Sequence, residues 1–263
     1  MFLISLLQVQ KFRGKTGDNM VDKNYLHTAY ANSADGTNGF TTVYPNLNLL
    51  DGTTKSSKTT TIYKNDNFGV IYWNPKQLSE KTITGSVYLD LTHSPYDVWL
   101  QLYTTNGVLY GNTIKAGQKG YSRFSGKVAT ITDNNANIAF RTLTGVTDTI
   151  TFDYSELKIE PGSTATPYMP SASEVTTADW PKYVGTYVDT NPVSSTVSSK
   201  YDWDEMKYRV YLDGIPVGGS KLLSFDLENL KAGTSYNVQV SQINGKVESD
   251  KSKSVAFKTT LIK

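Results

Sequence analysis

Residues Tyr96 to Gly107 read YDVWLQLYTTNG. Taken with a period of two, Val98, Leu100 and Leu102 share one face, and Trp99, Gln101 and Tyr103 share the other. The first is a core face. The second sets two large rings either side of an amide, too apolar for ordinary surface and too polar for a second core.

The same alternation recurs along the chain. Val87, Leu89 and Leu91 oppose Ser86, Tyr88 and Asp90, and Ile150, Phe152 and Tyr154 oppose Thr151, Asp153 and Ser155. From Thr59 onward such segments follow one another closely. Turn clusters separate them at Asn74-Pro75, His93-Ser94-Pro95, Asn106-Gly107, Asn134-Asn135 and Pro161-Gly162. Short strands at this spacing predict an all-β chain built on an antiparallel sandwich or jelly roll. Composition agrees: aromatics reach 12%, with 18 tyrosines, and no long stretch keeps an apolar period of 3.6.

The 263 residues suffice for one large domain or two to three smaller ones. Net charge is +2 with both signs interspersed and no Lys/Arg block, which argues against nucleic acid or an anionic membrane as partner. The sequence contains no cysteine, so disulfides, thiol chemistry and Cys-based metal sites are excluded. That suits a protein folded in a reducing cytosol and released already assembled.

Four regions follow from composition. Residues 1–20 are read as an N-terminal extension. Its apolar run MFLISLL is too short to span a bilayer and has no signal-peptide flanks, so a short packing strand or arm is expected. Residues 21–170 are assigned to the jelly roll. Residues 171–200, rich in Ser and Thr and carrying Pro181 and Pro192, are assigned to a linker. Residues 201–263 return to clean β segments such as KYRVYLDG and SVAFKTT.

The tail resembles part of a fibronectin type III domain. Leu227, Leu230, Gly233, Thr234, Tyr236, Val238 and Val240 match that family's L-x-x-L-x-x-G-T-x-Y-x-V-x-V pattern. The resemblance implies that Tyr236 closes a corner by hydrogen-bonding back to the backbone. Residues 201–263 are short for such a domain, so its first two strands come from the linker, come from another chain, or do not exist.

The stretches HTAYANSADGTNGFTTVYPNLNLLDGT, FDYSELKIEPGSTATPYMPSASE and DWPKYVGTYVDTNP resemble segments of carbohydrate-binding jelly-roll modules and tail proteins of phages of Gram-positive bacteria. The order of module, linker and fibronectin-like domain resembles the accessory baseplate proteins (BppA type) of lactococcal siphophages. That resemblance implies a virion protein of the tail tip or baseplate, assembled in the host cytoplasm. It also implies that the protein helps adsorption to cell-surface glycan. The implied partners are host cell-wall polysaccharide, the upper baseplate scaffold and the receptor-binding protein, with no insertion into membrane.

No catalytic constellation assembles from the residues. His27 lies in a polar lead-in and His93 in a Ser-Pro turn. Asp90, Asp97, Asp153 and Glu156 are open to three readings: a glycosidase pair, solvated strand-edge charges, or ligands of a structural Ca²⁺. A non-enzymatic protein without a cofactor is the expectation. A sugar face needs only rings for its C–H side and planar polar groups for its hydroxyls. Trp99, Gln101 and Tyr103 supply that mixture, and Tyr88, Asp90, Arg123 and Arg141 can extend it on neighbouring strands. Trp73, at a strand end, is a further candidate. Burial of Trp99 and Tyr103 under another segment, or in a protein interface, stays open beside the sugar platform. Tyr168 is expected to tuck against the sandwich, and Trp180 and Trp203 to pin domains together. A tail component in which the jelly roll is only a spacer is the competing reading.

Overall fold

The structure, a computed structural model, describes residues 24–63, 75–131, 136–143, 145–227, 230–245 and 247–260. Its strands are β1 (Tyr25–Ala31), β2 (Lys58–Tyr63), β3 (Thr82–Asp90), β4 (Trp99–Thr104), β5 (Gly107–Tyr110), β6 (Lys119–Lys127), β7 (Ala136–Arg141) and β8 (Thr149–Pro161). They continue as β9 (Tyr183–Asp189), β10 (Asp202–Glu205), β11 (Tyr208–Leu212), β12 (Ile215–Ser220), β13 (Ser235–Asn244), β14 (Val247–Glu248) and β15 (Val255–Lys258). No α-helix occurs among the described residues, so the all-β expectation holds. Among them no helix is long and apolar enough to cross a membrane.

The chain forms two units, one of residues Pro45–Asp179 and one of Met1–Tyr44 with Trp180–Lys263. In the first, antiparallel sheets of order β2-β8-β3-β6 and β5-β4-β7 share one core. Ile83, Val87 and Leu89 from β3, Leu100 and Leu102 from β4, Ile138 and Phe140 from β7, and Ile150 and Phe152 from β8 are all buried in it. Full burial of each such side chain contributes roughly 1.5–3 kcal/mol. Gly85 on β3 faces the Phe124 ring, and a Cβ there would lie 2.2 Å from it, so only glycine fits beneath that ring. After β5 the chain passes from one sheet to the other. Gly111 N–H donates to Leu100 O at 2.8 Å, and Asn112 N–H then donates to Arg123 O on β6 at 3.1 Å.

The outer face of the four-stranded sheet is closed at one end. Asn48 and Ser171 form a parallel bridge, and Leu49 N–H donates to Ile159 O at 2.8 Å. There Lys158 and Glu160, neighbours on one face of β8, are completely buried as an ion pair at 3.1 Å. Tyr168 is buried too, its hydroxyl 2.9 Å from Thr53 Oγ1, and so tucks in as expected.

The second unit has sheets β1-β9-β10 and β12-β11-β13, with β14 and β15 both on β13. The stretch 171–200 is therefore not a linker throughout. Between Pro181 and Pro192 lies YVGTYVD, free of proline and rich in β-branched and aromatic residues, and it forms β9. β1, from the polar lead-in assigned to the jelly roll, pairs with β9 from Tyr25↔Asp189 to Ala31↔Tyr183. The strands the tail lacks come from both flanks of the inserted sandwich. Trp180 stacks on Tyr44, with ring centroids 5.8 Å apart, and the Arg209 guanidinium carbon lies over the Trp180 ring at 5.4 Å. Trp203 packs beside Tyr201 and Phe40, and Gly36 at φ 72° brings the backbone against its indole. Both tryptophans are thus built into this unit. Tyr236 accepts the backbone N–H of Lys231 on its hydroxyl at 2.9 Å, bonding back to the chain five positions earlier.

Candidate functional site

Residues of alternate parity on a sandwich strand point away from its core. On the four-stranded sheet this sets Tyr88 directly opposite Tyr121, Asp90 opposite Lys119 and Ser86 opposite Arg123. The Tyr88 and Tyr121 rings meet edge to face at 5.1 Å. Arg123 is exposed, and its guanidinium carbon lies 4.0 Å above the Tyr121 ring. Such a cation–ring contact holds a long side chain in place while leaving its N–H edge outward.

Strand β8 completes the patch through an irregularity. Its pairing with β3 shifts register between Ser86 and Tyr88, and Glu156 adopts φ 55°. The extra residue swings the Glu156 carboxylate onto the sheet face, where Oε2 accepts from the Tyr121 hydroxyl at 2.5 Å. Burial and that carboxylate both push the Tyr121 phenol above its ordinary range, so it stays a donor. Lys119 Nζ sits 2.6 Å from Asp90 Oδ2, and Thr92 donates to the same carboxylate. These hydrogen bonds hold the Asp90 carboxyl down to about 2. The result is an open strip of two rings, a guanidinium and two carboxylates. It can stack an apolar ring face and bind hydroxyls.

The other predicted residues lie elsewhere. Trp99 pairs with Arg141, Gln101 with Ala139 and Tyr103 with Asn137, on the outer face of the three-stranded sheet. The shared core separates that face from the Tyr88–Arg123 strip, so the expected single platform is two separate surfaces. Gln101 is only 5% exposed and is no surface amide, and Trp99 is half-buried with its Nε1 enclosed and unpartnered. Tyr103 is exposed, as is Tyr110, which β5 sets opposite Gln101. Trp73 lies outside the described residues. Tyr121 was legible in GYSRFSGK, two positions before Arg123 on the same face. Glu156 was read only as a catalytic, strand-edge or Ca²⁺-binding carboxylate and not as part of a sugar face, because the register shift that aims it has no local sequence signature. His93 is exposed in its turn. Among the described residues no group of three or more His, Asp or Glu is arranged to hold a metal ion.

Residues 181–239 match the family model described as minor structural protein 5-like, C-terminal domain, of BppU-like type. No curated protein matches the chain. One chain of the solved tripod (BppUct-A-L) from the baseplate of bacteriophage Tuc2009 is similar over 93% of this chain and 100% of its own length. The two are 51% identical with a TM-score of 0.76. With half its residues identical across the whole of that chain, this protein belongs to a family of bacteriophage baseplate proteins.

Proposed function

We propose that the protein is a non-enzymatic baseplate component that binds saccharide of the host cell surface through its inserted sandwich and attaches to neighbouring baseplate proteins through its other unit. The observation that carries the saccharide reading is the strip of Tyr88, Tyr121, Arg123 and Glu156 on an open sheet face. Rings offer stacking area, and the charged groups are fixed by contacts that leave polar edges outward, the mixture a sugar requires. The strip is favoured over the β4 face because Gln101 is buried. Attachment through the second unit is supported by the match of 181–239 to a domain of another structural protein. Upper baseplate scaffold and receptor-binding protein are the partners in this reading.

Binding rather than cleavage is supported by the surroundings of the histidine that most resembles a catalytic one. His27 Nδ1 is 3.1 Å from Ser194 Oγ and Nε2 is 2.8 Å from Asp189 Oδ1. Yet the ring is 3% exposed, and the adjacent Ser195 N–H, the natural oxyanion donor, is already committed to the Tyr187 hydroxyl at 2.8 Å.

The test is binding of the full chain to purified host cell-wall polysaccharide. Tyr88→Ala and Arg123→Ala should each weaken it about tenfold, near 1.4 kcal/mol, with unchanged thermal midpoints. Wild-type chain that shows no binding at all would favour the spacer reading.

A further inference from the structure

Lys158 and Glu160 form a buried ion pair on the sheet face that carries the saccharide strip, with Lys158 opposite Ser86, and the function proposed above makes no use of it. The ammonium touches three acceptors: Thr166 Oγ1 and Pro167 O at 2.7 Å each, and Glu160 Oε2 at 3.1 Å. The same Glu160 oxygen also accepts from Asn46 Nδ2 at 3.3 Å and from the Thr166 hydroxyl at 2.5 Å. A second acceptor, Pro161 O, holds the Asn46 amide at 3.2 Å. One carboxylate oxygen therefore joins a fully buried amine to a side-chain carboxamide.

We propose that this trio is self-reactive, and that Lys158 and Asn46 become joined by an intramolecular isopeptide bond with Glu160 as the proton carrier. Burial disfavours two charges there, so passing one proton from Lys158 to Glu160 leaves a neutral amine and a neutral acid. Desolvation lowers the amine to about 8, which points the same way. With its two remaining hydrogens on Thr166 and Pro167, the amine turns its lone pair toward the Glu160 side, where the Asn46 carboxamide is held. Nζ attacks Asn46 Cγ, and the new Nζ–Cγ bond forms as the amine gives up a proton. Glu160 delivers its proton to Nδ2 and takes up the one that Nζ sheds, the Cγ–Nδ2 bond breaks and ammonia leaves, so the carboxyl ends as it began. One amide replaces another, with no oxidant, metal or cofactor in the balance. Proximity, with the amine and its proton carrier both shut off from solvent, supplies the rate that free lysine and asparagine lack.

Intact-mass measurement of the full chain, after incubation at mildly alkaline pH, decides the matter. The bond removes one ammonia, about 17 Da, and tryptic mapping should recover the Asn46 peptide joined to the Lys158 peptide. Lys158→Arg and Glu160→Gln should each restore the full mass. Wild-type chain at full mass would overturn the proposal, as would the same loss mapped to any other asparagine. Neither result depends on whether the protein binds saccharide.

Discussion

His27 of β1 and Asp189 of β9 are joined by a 2.8 Å hydrogen bond although 162 positions separate them in the chain. The ring also stacks on Tyr187 at 4.5 Å. This contact latches the start of the second unit to its continuation beyond the inserted sandwich. Replacing His27 by Ala leaves Asp189 and Ser194 without their partner. A loss of about 1–3 kcal/mol is expected, read from chemical denaturation of the full chain and confined to the transition that reports Tyr201 and Trp203.

The order of strands gives a second prediction. Residues 45–179 hold both sheets and all of their shared core, so that fragment should fold alone with a cooperative melt. Residues 180–263 lack β1, whose seven register pairs complete the β9 edge. They should stay unfolded by amide NMR dispersion until a peptide of residues 24–44 is added. Folding of 180–263 without it would show β1 to be dispensable.

Much of this architecture was legible because burial and parity coincide. In β4, Leu100 and Leu102 alternate with Trp99, Gln101 and Tyr103, and a period of two finds the core without help from distant residues. The unit boundaries were not legible, because β1 and β9 are recognisable as neighbours only once they pair across 45–179. Proline at both flanks of β9 gave 171–200 a linker's composition. At the site, Tyr88, Asp90 and Arg123 come together as parity and adjacency suggested. Which sheet each strand joins is a long-range fact, so Trp99 and Arg141 were grouped with them wrongly.

The buried pair on β8 makes a third prediction. Measured against chain at its full mass, in which the ion pair is intact, Lys158→Met alone strands the buried Glu160 charge and should destabilise the sandwich by about 3–5 kcal/mol. The double change Lys158→Met with Glu160→Leu removes both charges and should recover much of that loss. A single variant as stable as wild type would mean that water reaches the pair.

On β4, Leu100 is fully buried, whereas Trp99 is half-buried on the opposite face. Leu100→Ala should cost roughly 2–5 kcal/mol through the cavity it leaves. Trp99→Ala should cost less and leave polysaccharide binding intact, since the strip lies on the other sheet. Loss of binding with stability retained would return the ligand face to Trp99.

Asp90 sets an acid response. Its carboxyl titrates at about 2 when folded, against 3.8 ordinarily, because Lys119 and Thr92 donate to the ionised form. The unfolded chain therefore takes up this proton first as pH falls. The contribution of Asp90 is full above about pH 4 and is lost as pH drops toward 2. Asp90→Asn should flatten the fall in stability across that window, followed by thermal midpoints at stepped pH.

Because Ala31 pairs with Tyr183, the chain leaves for the sandwich and returns from it at neighbouring points of one antiparallel ladder. A mechanical load placed on residues 45–179 thus reaches the rest of the molecule along two strands that are pulled the same way. Tension is divided between β1 and β9, and nothing peels one from the other. Their mutual hydrogen bonds stay unstressed while each strand alone would have to slide. An insertion between adjacent strands therefore shares between two strands a load that a single connecting thread would carry alone.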